Sequence, residues 1–219
     1  MNKKLKFTDG KELDIGVMYG IGQNYAKHAK EMGSGVPAEP VIFIKPPIAY
    51  ISDGDSIELP NMSGNVHHEV ELVLVIGKDC KKVSKEEAHL YIAGYAVGID
   101  VTMRDIQQKA KSEGKPWAVC KGFASSAPIS RIISAEQIAE NDPHFDIELS
   151  VNGEIRQKVN TMEMERTVSE LIAYLSDVFG LNAGDCIFTG TPEGVGSIKK
   201  GDRLKASMSG GISLEVSVV

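Results

Sequence analysis

The chain is poor in cysteine. Cys80, Cys120 and Cys186 are its three, widely spaced and odd in number. No Cys-x-x-Cys pair occurs, so neither a structural zinc nor a disulfide framework is expected, and a reducing cytosol is the simplest compartment. Long apolar runs are missing as well; nothing approaches the roughly 20 residues of a membrane-spanning helix. The N-terminal lysines are followed by no apolar stretch, so no secretory signal is expected. Excess basic charge is also lacking. With 24 basic and 30 acidic residues the net charge is −6, and no basic stripe suited to nucleic acid is visible. A small anionic substrate stays open, because a local cluster can be positive in an acidic chain. There is no internal repeat. Residues 189–196 lack the Gly-Lys-Ser/Thr ending of a Walker A loop, and residues 20–23 lack the third glycine of a dinucleotide fingerprint.

Glycine, by contrast, is plentiful. The chain carries 22 in 219 residues, above the average of about 7%, which points to many turns. The length suits one well-filled core, read as a single domain over 1–219 with 1–15 as a short strand segment packed on it. Alternation and turn signals predict strands at 4–7, 41–44, 57–59, 66–77, 96–101, 186–189, 203–208 and 212–219. Residues 16–22 read as a glycine-punctuated strand or loop, and 118–120 as strand-like. A hairpin is expected at 145–151 and 154–159 around Asn152-Gly153. Helices are expected at 24–32, capped by Asn24, at 84–96, opened by Ser84, at 104–112 and at 168–179. Residues 33–37 read as a mobile loop. Strands outnumber scattered helices, so the expected class is α+β, β-rich, built on a roll or sandwich.

Two acids sit where apolar residues are expected. Glu69 and Glu71 lie two apart in a run of Val and Leu, so they share one strand face, about 7 Å apart along the strand. Asp100 ends a second apolar strand. Three carboxylates with no cysteine suit a hard divalent ion, Mg²⁺ with Mn²⁺ or Ca²⁺ as substitutes. The alternative is the wet face of an edge strand. His28 and Glu31, three apart on a short helix, share a face; the carboxylate can orient the imidazole as a general base, or the pair can be an ordinary exposed one. His67 and His68 read as structural, or as supports behind the ligands, since adjacent strand residues face opposite ways. The turn 189–196 can form a nest of backbone N–H groups for a carboxylate, helped by two hydroxyls.

In order along the chain stand Gly22-Gln23-Asn24-Tyr25-Ala26-Lys27-His28-Ala29-Lys30-Glu31-Met32, Ile44-Lys45-Pro46, His67-His68-Glu69-Val70-Glu71-Leu72, Gly98-Ile99-Asp100-Val101-Thr102-Met103-Arg104-Asp105, Lys121-Gly122-Phe123 and Phe188-Thr189-Gly190-Thr191-Pro192-Glu193-Gly194-Val195-Gly196. Taken together, this series resembles the fumarylacetoacetate hydrolase family, in its short acylpyruvate hydrolase and oxaloacetate decarboxylase branch. The resemblance implies a mixed β-sandwich roll and a homodimer. It implies a divalent metal on Glu69, Glu71 and Asp100, and a His28–Glu31 dyad on a lid. Lys45, Arg104, Gln107, Lys121 and Thr191 match positions lining the family's substrate pocket. The implied substrate is a small anionic 2-oxo acid.

The implied chemistry is release of a pyruvate enolate. A bound metal acts as Lewis acid, His28 activates water, and Lys121 and Gln107 support the developing charge. The leading expectation is C–C hydrolysis of acylpyruvates such as fumarylpyruvate or acetylpyruvate. The same enolate arises in oxaloacetate decarboxylation or keto–enol tautomerisation and in isomerisation of a hydroxydienedioate. A catalytically inert metal-binding protein is the alternative of another class.

Overall fold

The computed structural model describes residues 3–33 and 35–219. One mixed sheet of six strands organises it, in the spatial order Ile133–Ser134, Ile92–Ile99, Val70–Ile76, Cys186–Phe188, Met18–Gly22 and Val41–Lys45. All its pairings are antiparallel except Cys186–Phe188 on Met18–Gly22. A second sheet of five strands packs on it, ordered Glu154–Asn160, Asp146–Val151, Arg203–Met208, Ile212–Val218 and Ser56–Ile57.

The apolar run at 70–76 has a direct cause. Its strand is buried on both faces. Leu72, Leu74 and Ile76 point into the core between the two sheets, against Ile147, Leu149 and Leu214. Val73 and Val75 point the other way, into a second cluster with Met18, Phe188 and Ile129. A strand covered on both sides loses the polar half of its alternation. Glu71 shares the face of Val73 and Val75, one step beyond where that second cluster ends. The class is therefore α+β and β-rich, as expected.

Helices fall at Ala26–Glu31 (α1), Arg104–Ser112 (α2), Ala118–Lys121 (α3) and Val168–Val178 (α4). Three expectations are corrected. Residues 84–96 are not a helix: turns lead to a short 3-10 segment, Ala88–Tyr91, and the strand starts at Ile92. Pairing with Val70–Ile76 over the whole strand outweighs local helix preference. Gly94 lies within it, and any side chain there would meet the Ile133 carbonyl at 2.3 Å. Residues 118–120 form a helical turn instead of a strand, closed by Gly122 N–H to Ala118 O at 2.9 Å. Asn24 does not cap α1; its amide donates to Thr189 O at 2.9 Å and Arg166 O at 3.1 Å. Of the loop expected at 33–37, Ser34 lies outside the described residues.

Candidate active site

Register builds the acidic cluster. Val70 pairs with Ile99 and Glu71 with Gly98. The next pair is Asp100 opposite Glu69, joined by Asp100 N–H to Glu69 O at 2.8 Å. Cross-strand neighbours face the same way, so three carboxylates meet on one face. Each offers an oxygen within 4.8 Å of the others, and all three are buried.

Three buried cations answer them. Lys121, at the end of α3, reaches Glu69 Oε2 at 2.6 Å and Thr102 Oγ1 at 2.7 Å, and pairs with Asp100 Oδ2. Its ammonium also lies 4.6 Å from the Phe43 ring centroid. Arg104, opening α2, pairs with Glu69 Oε1 and reaches Gln107 Oε1 at 2.5 Å. Lys45 pairs with Asp100 Oδ1 at 2.7 Å and donates to Ser126 O at 2.9 Å, Ser126 Oγ at 3.1 Å and the Lys121 carbonyl.

The balance is uneven. Burial pushes Glu69 up, but Lys121 and Arg104 outweigh it and hold the carboxyl well below its usual range. Burial raises Asp100 against the pull of Lys121 and Lys45. Burial, then Asp100 and Glu69, push Glu71 well above the usual range. Glu71 receives one backbone hydrogen bond, from Gly190 at 2.7 Å, and no described cation lies within ion-pair distance. A buried carboxylate without a counter-charge is costly. The donor set, three convergent carboxylate oxygens with one lacking a cation, fits a hard divalent ion.

Helix α1 and the turn 189–196 are joined through Glu31. His28 Nδ1 meets Glu31 Oε2 at 3.2 Å. Glu31 Oε1 accepts from Gly194 N–H at 3.2 Å. The turn's amides thus hold two of the protein's own carboxylates, Glu71 and Glu31. Gly190 and Gly194 have φ of +103° and +90°, and a Cβ at Gly194 would meet Arg156 O at 2.2 Å; only glycine suits such positions. Lys27 to Glu163 at 2.8 Å and Arg166 to Ala38 O at 3.0 Å tie the segment between α1 and Ala38 to residues 163–166.

His28, Glu69, Glu71, Arg104, Gln107, Lys121 and Thr191 line one cavity. Its volume is about 30 Å³, room for a water molecule or two, with His28 of α1 in its wall. Lys45 does not line it; it lies wholly buried behind Asp100. A hollow of about 480 Å³ opens elsewhere, between the 151–156 hairpin and residues 194–202, without a convergent set of buried charges.

Two supports had little sequence signal. Gln157 Oε1 accepts from Val70 N–H at 3.0 Å and His68 Nδ1 at 2.9 Å, while its amide donates to Thr191 Oγ1 at 2.9 Å and Pro192 O at 3.0 Å. That fixes the proton of His68 on Nδ1 and anchors Thr191, whose hydroxyl donates to Val70 O at 2.9 Å. His68 is thus held by Gln157 on the strand that carries Glu69 and Glu71. Thr102 gives Lys121 its third partner. Lys111 and Trp117 also line the cavity. For Lys111 a signal was present: it falls four residues after Gln107 and seven after Arg104, on the same helical face.

Residues 17–219 match the model of the fumarylacetoacetate hydrolase C-terminal domain. The chain belongs to the fumarylacetoacetate hydrolase family. It is 43% identical over 199 residues to the mitochondrial oxaloacetate tautomerase FAHD1 of Bos taurus, covering 90% of this chain and 89% of that one. It is 45% identical over 190 residues to the oxaloacetate tautomerase YcgM of Escherichia coli, covering 87% of each. Among solved structures it resembles fumarylpyruvate hydrolase from Pseudomonas aeruginosa in complex with Mn²⁺ and pyruvate, at TM-score 0.94 and 38% identity over 100% of this chain and 96% of that one.

Proposed function

We propose that this member of the family is a divalent-metal-dependent oxaloacetate tautomerase. The observation that carries enolate chemistry is the charge pattern: among the described residues Glu71 has no cation within ion-pair distance, while Lys121 and Arg104, paired with Glu69, line the same small cavity. The tautomerase assignment within that chemistry is supported by relatives of that name at 42–46% identity over most of the chain. Glu69, Glu71 and Asp100 would hold the metal, Mg²⁺ or Mn²⁺, which when bound supplies Lewis acidity toward a 2-oxo acid.

The chain's own groups do the rest. Lys121 stabilises negative charge on the substrate's 2-oxygen as the C3 proton leaves. Arg104 and Gln107 position a carboxylate, with Thr191 on the opposite wall. His28, with Nδ1 engaged by Glu31, takes and returns the proton through Nε2. The α1 lid excludes water, which keeps these charges effective. Lys45 holds Asp100 from behind, as a positioning residue.

C–C hydrolysis of acylpyruvates is the second reading. The His28–Glu31 dyad favours it, because such a dyad can also deprotonate an attacking water. One panel separates the two. Purified protein with Mg²⁺ or Mn²⁺ is given oxaloacetate, acetylpyruvate and fumarylpyruvate, following enol absorbance, pyruvate and CO₂. Tautomerisation of oxaloacetate well above the buffer rate, without stoichiometric CO₂, is expected. Pyruvate release from acylpyruvates with no catalysed tautomerisation overturns the assignment. Loss of CO₂ as the main event would make it a decarboxylase.

A further inference from the structure

Three cations line or cap the cavity, and two are already committed. Arg104 is taken by Glu69 and Gln107, and Lys121 by Glu69, Asp100 and Thr102. The third, Lys111, is different. It projects from the last turn of α2, on the face that carries Arg104 and Gln107. Its outer side is open to solvent, yet it lines the same cavity. Its ammonium stands 5.3 Å from the centroid of the Trp117 ring, which also lines the cavity. A ring face steadies a cation without neutralising it. Among the described residues, no carboxylate lies within ion-pair distance of Lys111. Burial, and then Arg104, pull its pKa below the ordinary lysine value.

An unpaired cation at the rim, beyond a cluster that holds the 2-oxo acid end, suits the far end of a substrate carrying a second negative charge. We propose that Lys111, steadied by Trp117, receives the distal carboxylate of a dicarboxylic 2-oxo acid and selects it over uncharged analogues. This deepens the tautomerase reading by assigning the group that recognises the second acid.

The test is binding to the Mn²⁺-supplemented full chain by titration calorimetry, alongside turnover. The probes are oxaloacetate, 2-oxosuccinamate, in which the distal carboxylate is a neutral amide, and oxalate, which lacks a distal arm. Wild type should prefer oxaloacetate to 2-oxosuccinamate by on the order of ten-fold, the size of one charge-assisted hydrogen bond at a partly open site. Lys111→Gln should erase that preference through a weaker Kd and higher KM for oxaloacetate, with kcat and the oxalate Kd little moved. Lys111→Arg should restore it. Equal weakening of all three probes, or an unchanged preference in Lys111→Gln, overturns the inference. Absence of the preference in wild type does so too. A Lys111-dependent preference in a protein that binds oxaloacetate without tautomerising it leaves the inference standing and removes the activity.

Discussion

Glu71 and Lys45 are buried in the same cluster with opposite consequences. Glu71 is a carboxylate that no described cation covers, so a divalent ion should stabilise the protein through it. At a hundredfold excess over Kd such an ion adds about 2.7 kcal/mol, which in a chain of this size raises Tm by roughly 5–10 °C. Glu71→Gln should abolish the Mn²⁺-induced shift in a thermal melt while leaving the metal-free protein at least as stable as wild type. Lys45 is the reverse case. It is a wholly buried ammonium whose partners are Asp100, backbone oxygens and the Ser126 hydroxyl. Lys45→Met leaves the buried Asp100 with Lys121 as its remaining cation and should lower stability by about 1–3 kcal/mol in urea unfolding. The series of motifs alone placed Lys45 in the pocket; spacing cannot tell a residue facing a cavity from one bracing the wall behind it.

At the scale of elements, the turn 189–196 is the most demanding piece. Gly194 combines a positive φ with a carbonyl 2.2 Å from where a Cβ would stand. Gly194→Ala should therefore cost about 1–3 kcal/mol of stability. It should also slow turnover, because the same residue's N–H holds Glu31. Paired melts and rate assays check both. Most of this layer was legible in the sequence. The hairpin at 146–160, the helices α2 and α4 and the strand of Glu71 all carry local signals that agree with the fold. What was illegible depended on partners distant in sequence. Residues 84–96 carry helix-like capping, but Ile92–Ile99 is held by a neighbouring strand. Asn24 has the chemistry of a cap, but Thr189 and Arg166 use it instead. Gln157 is a polar residue in a hairpin strand, and nothing local shows that it braces Thr191.

For the whole molecule, stability against pH should carry one distinct signature. Burial, then Arg104, pull His67 down to about 4. The unfolded chain protonates this residue near pH 6.5 while the folded one resists until about pH 4. The unfolded state therefore binds more protons in that window, and stability falls as pH drops through it. Allowing for the partial exposure of His67, the loss is on the order of 2 kcal/mol. His67→Gln should remove that part of the acid-side slope in urea titrations at stepped pH, leaving the carboxylate-driven slope below it.

The paired grip of the turn reaches further. Gly190 holds Glu71 at the floor of the cavity, and four residues on Gly194 holds Glu31 on the lid. One short peptide is thus a yoke between the ion's seat and the door above it. An ion seated on Glu71 would therefore be felt at Glu31 through that peptide, and by reciprocity a change at Glu31 that tightened the ion would be favoured by the ion to the same factor.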